Sequence, residues 1–579
     1  MNLSWNLQEL FLSDEAFYEE ITKKKEKIKE FKESTPENLD KESLYSLLEE
    51  KWLIKERANT ILLYGSLKYY KNIKDEKCSK LKQDAEIFSN EVNTELRFVD
   101  RMILNLGESK VEDFMRQNSA LQKYAHALNN LFRMRKHVED EATTKNIAKN
   151  MEGINHELKR YNDTLRDIKC GSIEVDGKTI EITLSNFAKY ITSRDQETRR
   201  KTYLTVNQSF ANEAATFADI LNNIYTYRDK NARLEQYSSV LEKVLFEENI
   251  DERIIDTLIE TVNHSVKIFQ DYLQIKADLL EIKEPHLYDF SVPLIENSHK
   301  TYSLEEAIDI IKKALEPLGE EYLKVVDTLL DGHIDAMPAE EKHQSIIFSW
   351  HTYSFMNFHG AYGDIKNLIH ELGHIVNYYL SMKNQPFIYE DSTIFVGETA
   401  SLVNEILLNR YLFENATTKE EKLYFLSKEI ENYFTSVFKQ TLYTEFERTL
   451  YQLKENQNLT PELLSKAYFD HIKKYYGDHI VYDNEASVEW TRLGHLYRHS
   501  YYPYKYATGL IMASVVVNDL MSDQNDFKEK YLSFLESGSS KYSLELLKMI
   551  NVDLTDHTII RNGLKIVEED VLALKRLMK

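Results

Sequence analysis

Glycine and proline are the residues that stop helices and shape the turns of sheets, and this chain of 579 residues carries only 16 and 8 of them. So few breaks over such a length point to long helices joined by short connections. Residues 14–165 read that way throughout. DEAFYEEITKKKEKIKEFKE sets apolar residues at helical spacing among charges, with Asp14 as the expected N-cap and KKKEKIKE as a solvated face. The pattern breaks at 173–182, IEVDGKTIEI, where alternation around Asp176-Gly177 predicts a β-hairpin and a domain boundary shortly after it. Helices resume from 186. Two stretches rich in β-branched and aromatic residues, 287–295 and 345–358, are expected to pair in one small sheet, and the chain is helical again after 365.

Apolar residues make up 42% of the chain and charged residues 29%, enough for a packed core and too apolar for a wholly disordered protein. The length calls for two or more substructures. A net charge of −22 disfavours nucleic acid and anionic membranes as partners. No run of about 18 apolar residues is present, and the N-terminal MNLSWNLQELFLSDEAFYEE lacks a basic segment followed by an apolar one. Cys78 and Cys170 are too few for a disulfide framework and read as structural. These features make the cytoplasm the expected location.

Residues 369–380 read IHELGHIVNYYL. On a helix, Ile365, Leu368, Ile369, Leu372, Ile375, Val376 and Tyr379 fall within one arc of roughly 120°. His370 and His374 lie away from it, one turn apart and able to share one ion. Zinc takes neutral imidazole nitrogens and keeps an open position for water, and Glu371 is placed to accept a proton from that water. The competing reading is a solvated helix bearing two surface histidines. Gly373, costly in mid-helix, marks close approach by another backbone, for which a strand within 345–358 is the natural candidate.

Two histidines leave a zinc site one ligand short. In IFVGETASLVNEILLNRYL (394–412), Glu398 and Glu405 stand seven apart on one face of a segment apolar nearly all round. Buried carboxylates need a metal or a cation. Glu398 is the candidate third ligand and Glu405 the candidate partner of a ligating histidine; pairing of both with buried Arg or Lys is the alternative.

HELGH at 370–374, FVGETAS at 395–401 and NE at 404–405 together resemble the thimet-type zinc oligopeptidases, specifically the oligoendopeptidase F branch. NARLEQYSSVLEKVLFEENIDERIIDTLIETVN (231–263), HLYDFSVPL (286–294), SNFAKYITSRDQETRRKTY (185–203) and YYPYKYATG (501–509) are similar to that branch too. The resemblance covers about 180–579 well and the N-terminal 150 residues loosely.

The resemblance implies a mainly α, two-lobed fold enclosing a deep channel, with a small β-sheet beside the active site. With the boundary placed just after the hairpin, an N-terminal helical lobe is expected over 1–190 and a catalytic domain over 191–579. The resemblance implies one zinc ion per chain, held by His370, His374 and Glu398, with Glu371 as general base and Glu405 behind the ligands. The implied activity is cleavage of internal bonds in short unfolded peptides by a zinc-activated water. By the same resemblance His495, Tyr502 and Tyr504 contact the reacting peptide, with Tyr506 as the next substrate-binding candidate. The branch reads SGAYSWG before its site, where this chain has the bulkier HQSIIFSWHTYSF (343–355), adding His351 as a substrate-binding candidate. Two other functions stay open. One is an exo-acting dipeptidyl carboxypeptidase, with Arg492, Arg498 or Lys505 catching the terminal carboxylate. The other is a helical peptide-binding protein that does not cut.

Overall fold

In a computed structural model, described over residues 3–135, 137, 141–295, 300–522 and 526–578, the chain is mainly α-helical. Its strands form one two-stranded and one three-stranded sheet. Among the described residues no helix is long and apolar enough to cross a membrane. The chain divides into two compact units, each assembled from three segments.

The first unit comprises Met1–Lys136, Lys300–Leu408 and Asp519–Ile550. Its long helices begin where capping chemistry places them. Ser13, not Asp14, caps Asp14–Ser34, its hydroxyl accepting from the Ala16 amide, because an extended backbone at Ser13 aims the short side chain at the first turn. Asp40 and Ser43 form a reciprocal cap on Lys41–Lys71. That helix packs on Glu76–Glu95 at Gly65, where a Cβ would lie 2.8 Å from the Leu81 carbonyl oxygen. Phe17, Leu44, Ile61, Ala85 and Val99 centre the core.

The three-stranded sheet lies in this unit. Strand β3 (Ile334–Asp335) runs parallel to β5 (Tyr353–Phe355), and β4 (Phe348–Trp350) pairs antiparallel with the other side of β5. Trp5, from the N-terminal segment, donates its indole N–H to the Ser354 carbonyl at 2.8 Å and packs on Phe355. Lys342, fully buried, is held at 2.8 Å by the carboxylate of Asp335 and the carbonyls of Met337 and Met356. The interior therefore contains no uncompensated ammonium here.

The second unit comprises His137–His299, Asn409–Asn518 and Asn551–Lys579. It carries the expected hairpin: β1 (Ser172–Val175) and β2 (Lys178–Glu181) pair antiparallel across Asp176 (φ 50°) and Gly177 (φ 72°). Both turn residues are left-handed, which suits the right-handed twist of a two-residue hairpin. The segment 287–295 does not join a sheet. Leu287–Ser291 is a 3₁₀ turn, fixed by Asp289 accepting from the His286 amide at 2.9 Å and from Arg199 in a buried ion pair. A carboxylate committed to that pair curls the chain whatever the β propensity of its neighbours.

The 190/191 division read from sequence falls inside this second unit, whose boundaries follow compactness rather than chain order. Cys78 and Cys170 are free, buried, and pushed by burial toward the neutral thiol.

Candidate metal centre

The Tyr362–Asn384 helix presents the apolar face its period predicts. Ile365, Leu368, Ile369, Leu372, Ile375 and Val376 are wholly buried, and Tyr379 lies at the margin. His370 and His374 sit off that face, each with about a quarter of its side chain open. Gly373 marks a close approach, but the partner is not a strand. A Cβ there would stand 2.5 Å from Ser401 Cα and 2.8 Å from the Ala400 carbonyl oxygen. The start of Thr399–Glu414 occupies that space. Asn404 ties the two helices, donating to the Ile369 carbonyl at 3.2 Å while accepting from the Tyr322 hydroxyl at 3.0 Å.

That crossing brings three donors together. His370 Nε2 and His374 Nε2 are 3.2 Å apart, and Glu398 Oε2 lies 3.5 and 3.4 Å from them. Four ligands at 2.0–2.1 Å in a tetrahedron stand roughly 3.3 Å from one another, so this triangle has the sides a zinc ion requires. These three residues are a group whose donor atoms all lie within 4.8 Å of one another. Glu398 is not interior. It precedes the first helical residue, and half of its side chain is exposed, because the helix begins at Thr399 and leaves the carboxylate on the open rim. Burial works against its charge, but the two imidazoles and a 3.0 Å hydrogen bond from Ser401 hold its pKa at about 2.

Glu405 is largely covered, with a tenth of its side chain open. Its Oε1 lies 2.7 Å from His370 Nδ1 and its Oε2 3.0 Å from Lys366. With Nδ1–H donated there, the lone pair of His370 points from Nε2 toward the other two donors. Burial disfavours charge on both partners, but their mutual attraction outweighs it: His370 is raised and Glu405 lowered.

Glu371 is buried beside the pair, and the Ser349 hydroxyl of β4 donates to its Oε2 and to its backbone carbonyl. Ser349, Ser401, Asn404 and Lys366 escaped the sequence reading. Only Lys366 stood at a helical offset that could have signalled its role; the others depend on which segments meet. His351 sits in the two-residue turn between β4 and β5 with φ 55°. Its Nε2 is 2.7 Å from Asn59 Nδ2, its ring packs on Tyr378, and burial lowers its pKa to about 4.

The remaining candidates belong to the second unit. Pro503 opens the Pro503–Met521 helix, so Tyr502 and Tyr506, one turn apart, share a face. Their rings are 5.3 Å apart, and His495 lies 5.8 and 5.5 Å from them. Tyr506 is 37% exposed, whereas Tyr504, two residues along the helix, is completely buried. Burial, with His499 and Arg498 nearby, lowers the pKa of His495. Beneath this segment, buried Glu447 accepts from the Tyr501 amide at 2.9 Å, holding Tyr501 at φ 49°, and Arg228 donates to the Leu496 and Tyr497 carbonyls.

A helical protein with an HExxH pair and a later glutamate on one triangle of donors has the make-up of a metallopeptidase. The comparisons with known proteins give the family. Residues 189–566 match the sequence model of Peptidase family M3 and residues 103–168 that of Oligopeptidase F. The chain belongs to peptidase family M3, a family of metallopeptidases acting on peptides. It is 30% identical to Oligopeptidase PepF of Bacillus subtilis over 99% of this chain and 87% of that one. To an Oligoendopeptidase F homolog of Borreliella burgdorferi it is 26% identical, over 100% and 98% of the two chains. A crystal structure of a peptidase from Chlamydophila abortus superposes with a TM-score of 0.90 at 26% identity, covering 99% and 98%. Oligoendopeptidase-F from Enterococcus faecium shares the fold, with a TM-score of 0.73 at 23% identity.

Proposed function

We propose that this metallo-oligopeptidase is a zinc endopeptidase that cuts internal bonds of short, unfolded peptides, with one zinc per chain held by His370, His374 and Glu398. The observation that carries this reading is the 3.2–3.5 Å triangle of donor atoms with the buried Glu371 carboxylate beside it. Zinc bound there supplies Lewis acidity toward a water and toward the peptide carbonyl oxygen. Glu371 takes the proton of the attacking water and passes it to the leaving amine nitrogen. Ser349 fixes the Glu371 carboxylate through its hydroxyl, and Glu405 fixes the His370 ring.

Strand β4 is the edge of its sheet, paired on one side only, and it carries Ser349. An extended peptide adds to such an edge by main-chain hydrogen bonds, a mode indifferent to side-chain identity. We assign His495, Tyr502 and Tyr506 the role of hydrogen-bond donors to the substrate. His495 is suited to it because its lowered pKa keeps the ring neutral with one N–H to give. Tyr504, buried, is assigned to packing, and His351, bound to Asn59, to shaping the β4–β5 turn.

The endopeptidase reading is favoured over the exo-acting one by the cations. Lys505 pairs with Glu248, Arg492 with Glu489 and Asn207, and Arg498 bonds to Asn162, so each candidate for a terminal carboxylate is already engaged. Peptides blocked at both ends test this. An endopeptidase cuts them and loses that activity on chelation, with recovery on adding Zn²⁺; failure to cut any doubly blocked peptide overturns the assignment.

A further inference from the structure

The second unit holds an open-mouthed cavity of about 310 Å³, lined among the described residues by its own side chains, the size of a small-molecule site. Ile191, Leu287, Leu442 and Ile472 give it apolar walls, and charge and phenol supply the rest. Lys439 lines it next to the phenols of Tyr443 and Tyr476, and among the described residues no carboxylate lies within ion-pairing distance of its ammonium. Glu489 also lines it and receives two long contacts, 3.3 Å from Arg492 and 3.4 Å from the Tyr468 hydroxyl. Both exceed ordinary hydrogen-bond length. The Tyr203 hydroxyl, buried and close to Glu489, completes no hydrogen bond of standard geometry. The cavity thus holds a cation that is attracted by Glu489 without a carboxylate in contact, and an anion with spare acceptor capacity, so a ligand bridging the two completes both. Immediately before Lys439 the chain makes a π-helical turn, Phe434–Phe438, a rare departure concentrated at functional sites.

We infer that this cavity binds a small zwitterion with an apolar body, a free apolar or aromatic amino acid, its carboxylate on Lys439, its ammonium on Glu489 and its side chain against Leu287 and Leu442. None of these residues belongs to the His370–His374–Glu398 cluster, so the inference stands or falls apart from the zinc reading. Its chemistry suits a peptidase, because free amino acids are the end products of peptide breakdown and an indicator of its supply.

Calorimetric titration of the full-length, zinc-supplemented protein with L-phenylalanine tests it, followed by N-acetyl-L-phenylalanine, which lacks the ammonium, and L-phenylalaninamide, which lacks the carboxylate. One site per chain is expected for phenylalanine, with both derivatives weaker by about tenfold or more, the size of one charge-assisted hydrogen bond. Lys439→Met should weaken phenylalanine to the same extent, while Glu371→Gln and the chelated protein bind it as the wild type does. The wild-type ligand series decides the matter even where Lys439→Met fails to fold, which circular dichroism reports. No binding at millimolar phenylalanine, equal binding of acid and amide, or loss of binding on chelation each overturns the proposal. The last outcome would place the ligand at the metal cluster.

Discussion

The Tyr362–Asn384 helix sets its histidines by period alone, whereas the 495–506 segment sets its rings through a loop that no period describes. In the first region, four-residue spacing and a clean apolar face oblige His370 and His374 to stand together once the helix forms. In the second, the placement of His495 against Tyr502 and Tyr506 depends on Arg228 gripping two carbonyls and on Glu447 holding Tyr501 in a left-handed conformation. The lesson concerns where function resists change. The histidine pair is tied to local geometry; the ring cluster is hostage to buried residues that never touch substrate.

The comparison breaks most sharply at Glu371. Glu371→Gln keeps the shape and the Ser349 hydrogen bond but cannot take a proton, so kcat is expected to fall by about 10²–10⁴-fold with zinc content unchanged. Metal analysis beside peptide turnover checks both halves, and near-normal turnover removes Glu371 from its role. The second region answers with a smaller loss. Tyr502→Phe and His495→Gln should each lower kcat/KM by about 10²–10³-fold if they donate to the developing oxyanion. Tyr504→Phe, on a buried ring, should leave kcat/KM within a few-fold, and an equal loss at 502 and 504 would erase the distinction between exposed and buried phenols.

Below these lies Glu405. Glu405→Gln leaves His370 without its charged acceptor, and zinc affinity is expected to drop about 10–100-fold, read by competition with a chelating dye. Saturating zinc should recover most of the activity, which separates this residue from Glu371.

These contrasts also mark how far the sequence could be read. The helix carrying HELGH and the Asp176–Gly177 hairpin follow from spacing and turn chemistry, which are local; Glu398 came from a burial argument and the family resemblance, and the helix crossing at Gly373 is what brings it to the histidines. The rest turned on partners distant in the chain. Residues 287–295 have strand-like composition, yet Asp289 answers to Arg199 and the segment curls. The third strand of the sheet came instead from Ile334–Asp335, two residues with no pattern to announce them. Gly373 announced a close approach without naming the backbone that makes it. Glu398 was expected in the interior because its neighbours are apolar, but a helix that begins one residue later leaves it on the rim.

Glu447 gives the second region a pH signature of its own. Burial pushes its carboxyl up to about 8, opposed by the Tyr501 amide and by Arg228, with Tyr225, Tyr451 and Tyr501 as the other titratable groups around it. A carboxyl whose folded pKa is raised adds stability that is complete below its unfolded pKa, about 4.3, and is lost as pH rises through the folded value. The melting temperature of the wild type relative to Glu447→Gln should therefore fall between about pH 4.5 and pH 8 and level off above. A flat difference across that range would show that Glu447 is already ionised in the folded chain.

The smallest effect isolates the helix crossing behind the metal cluster, and it uses two glycines of one helix. At Gly363 a Cβ meets nothing within 4 Å; at Gly373 it meets the Ser401 backbone at 2.5 Å. Gly363→Ala should stabilise by up to about 1 kcal/mol, the helix-propensity gain alone. Gly373→Ala gains the same propensity but must push Thr399–Glu414 away, an overpacking cost of about 1–3 kcal/mol. That helix begins beside Glu398, so the displacement should appear as weaker zinc binding as well as a lower denaturation midpoint. Equal stability changes at the two positions would mean that the crossing yields, and that the 3.2–3.5 Å triangle is held by the side chains rather than by the backbones behind them.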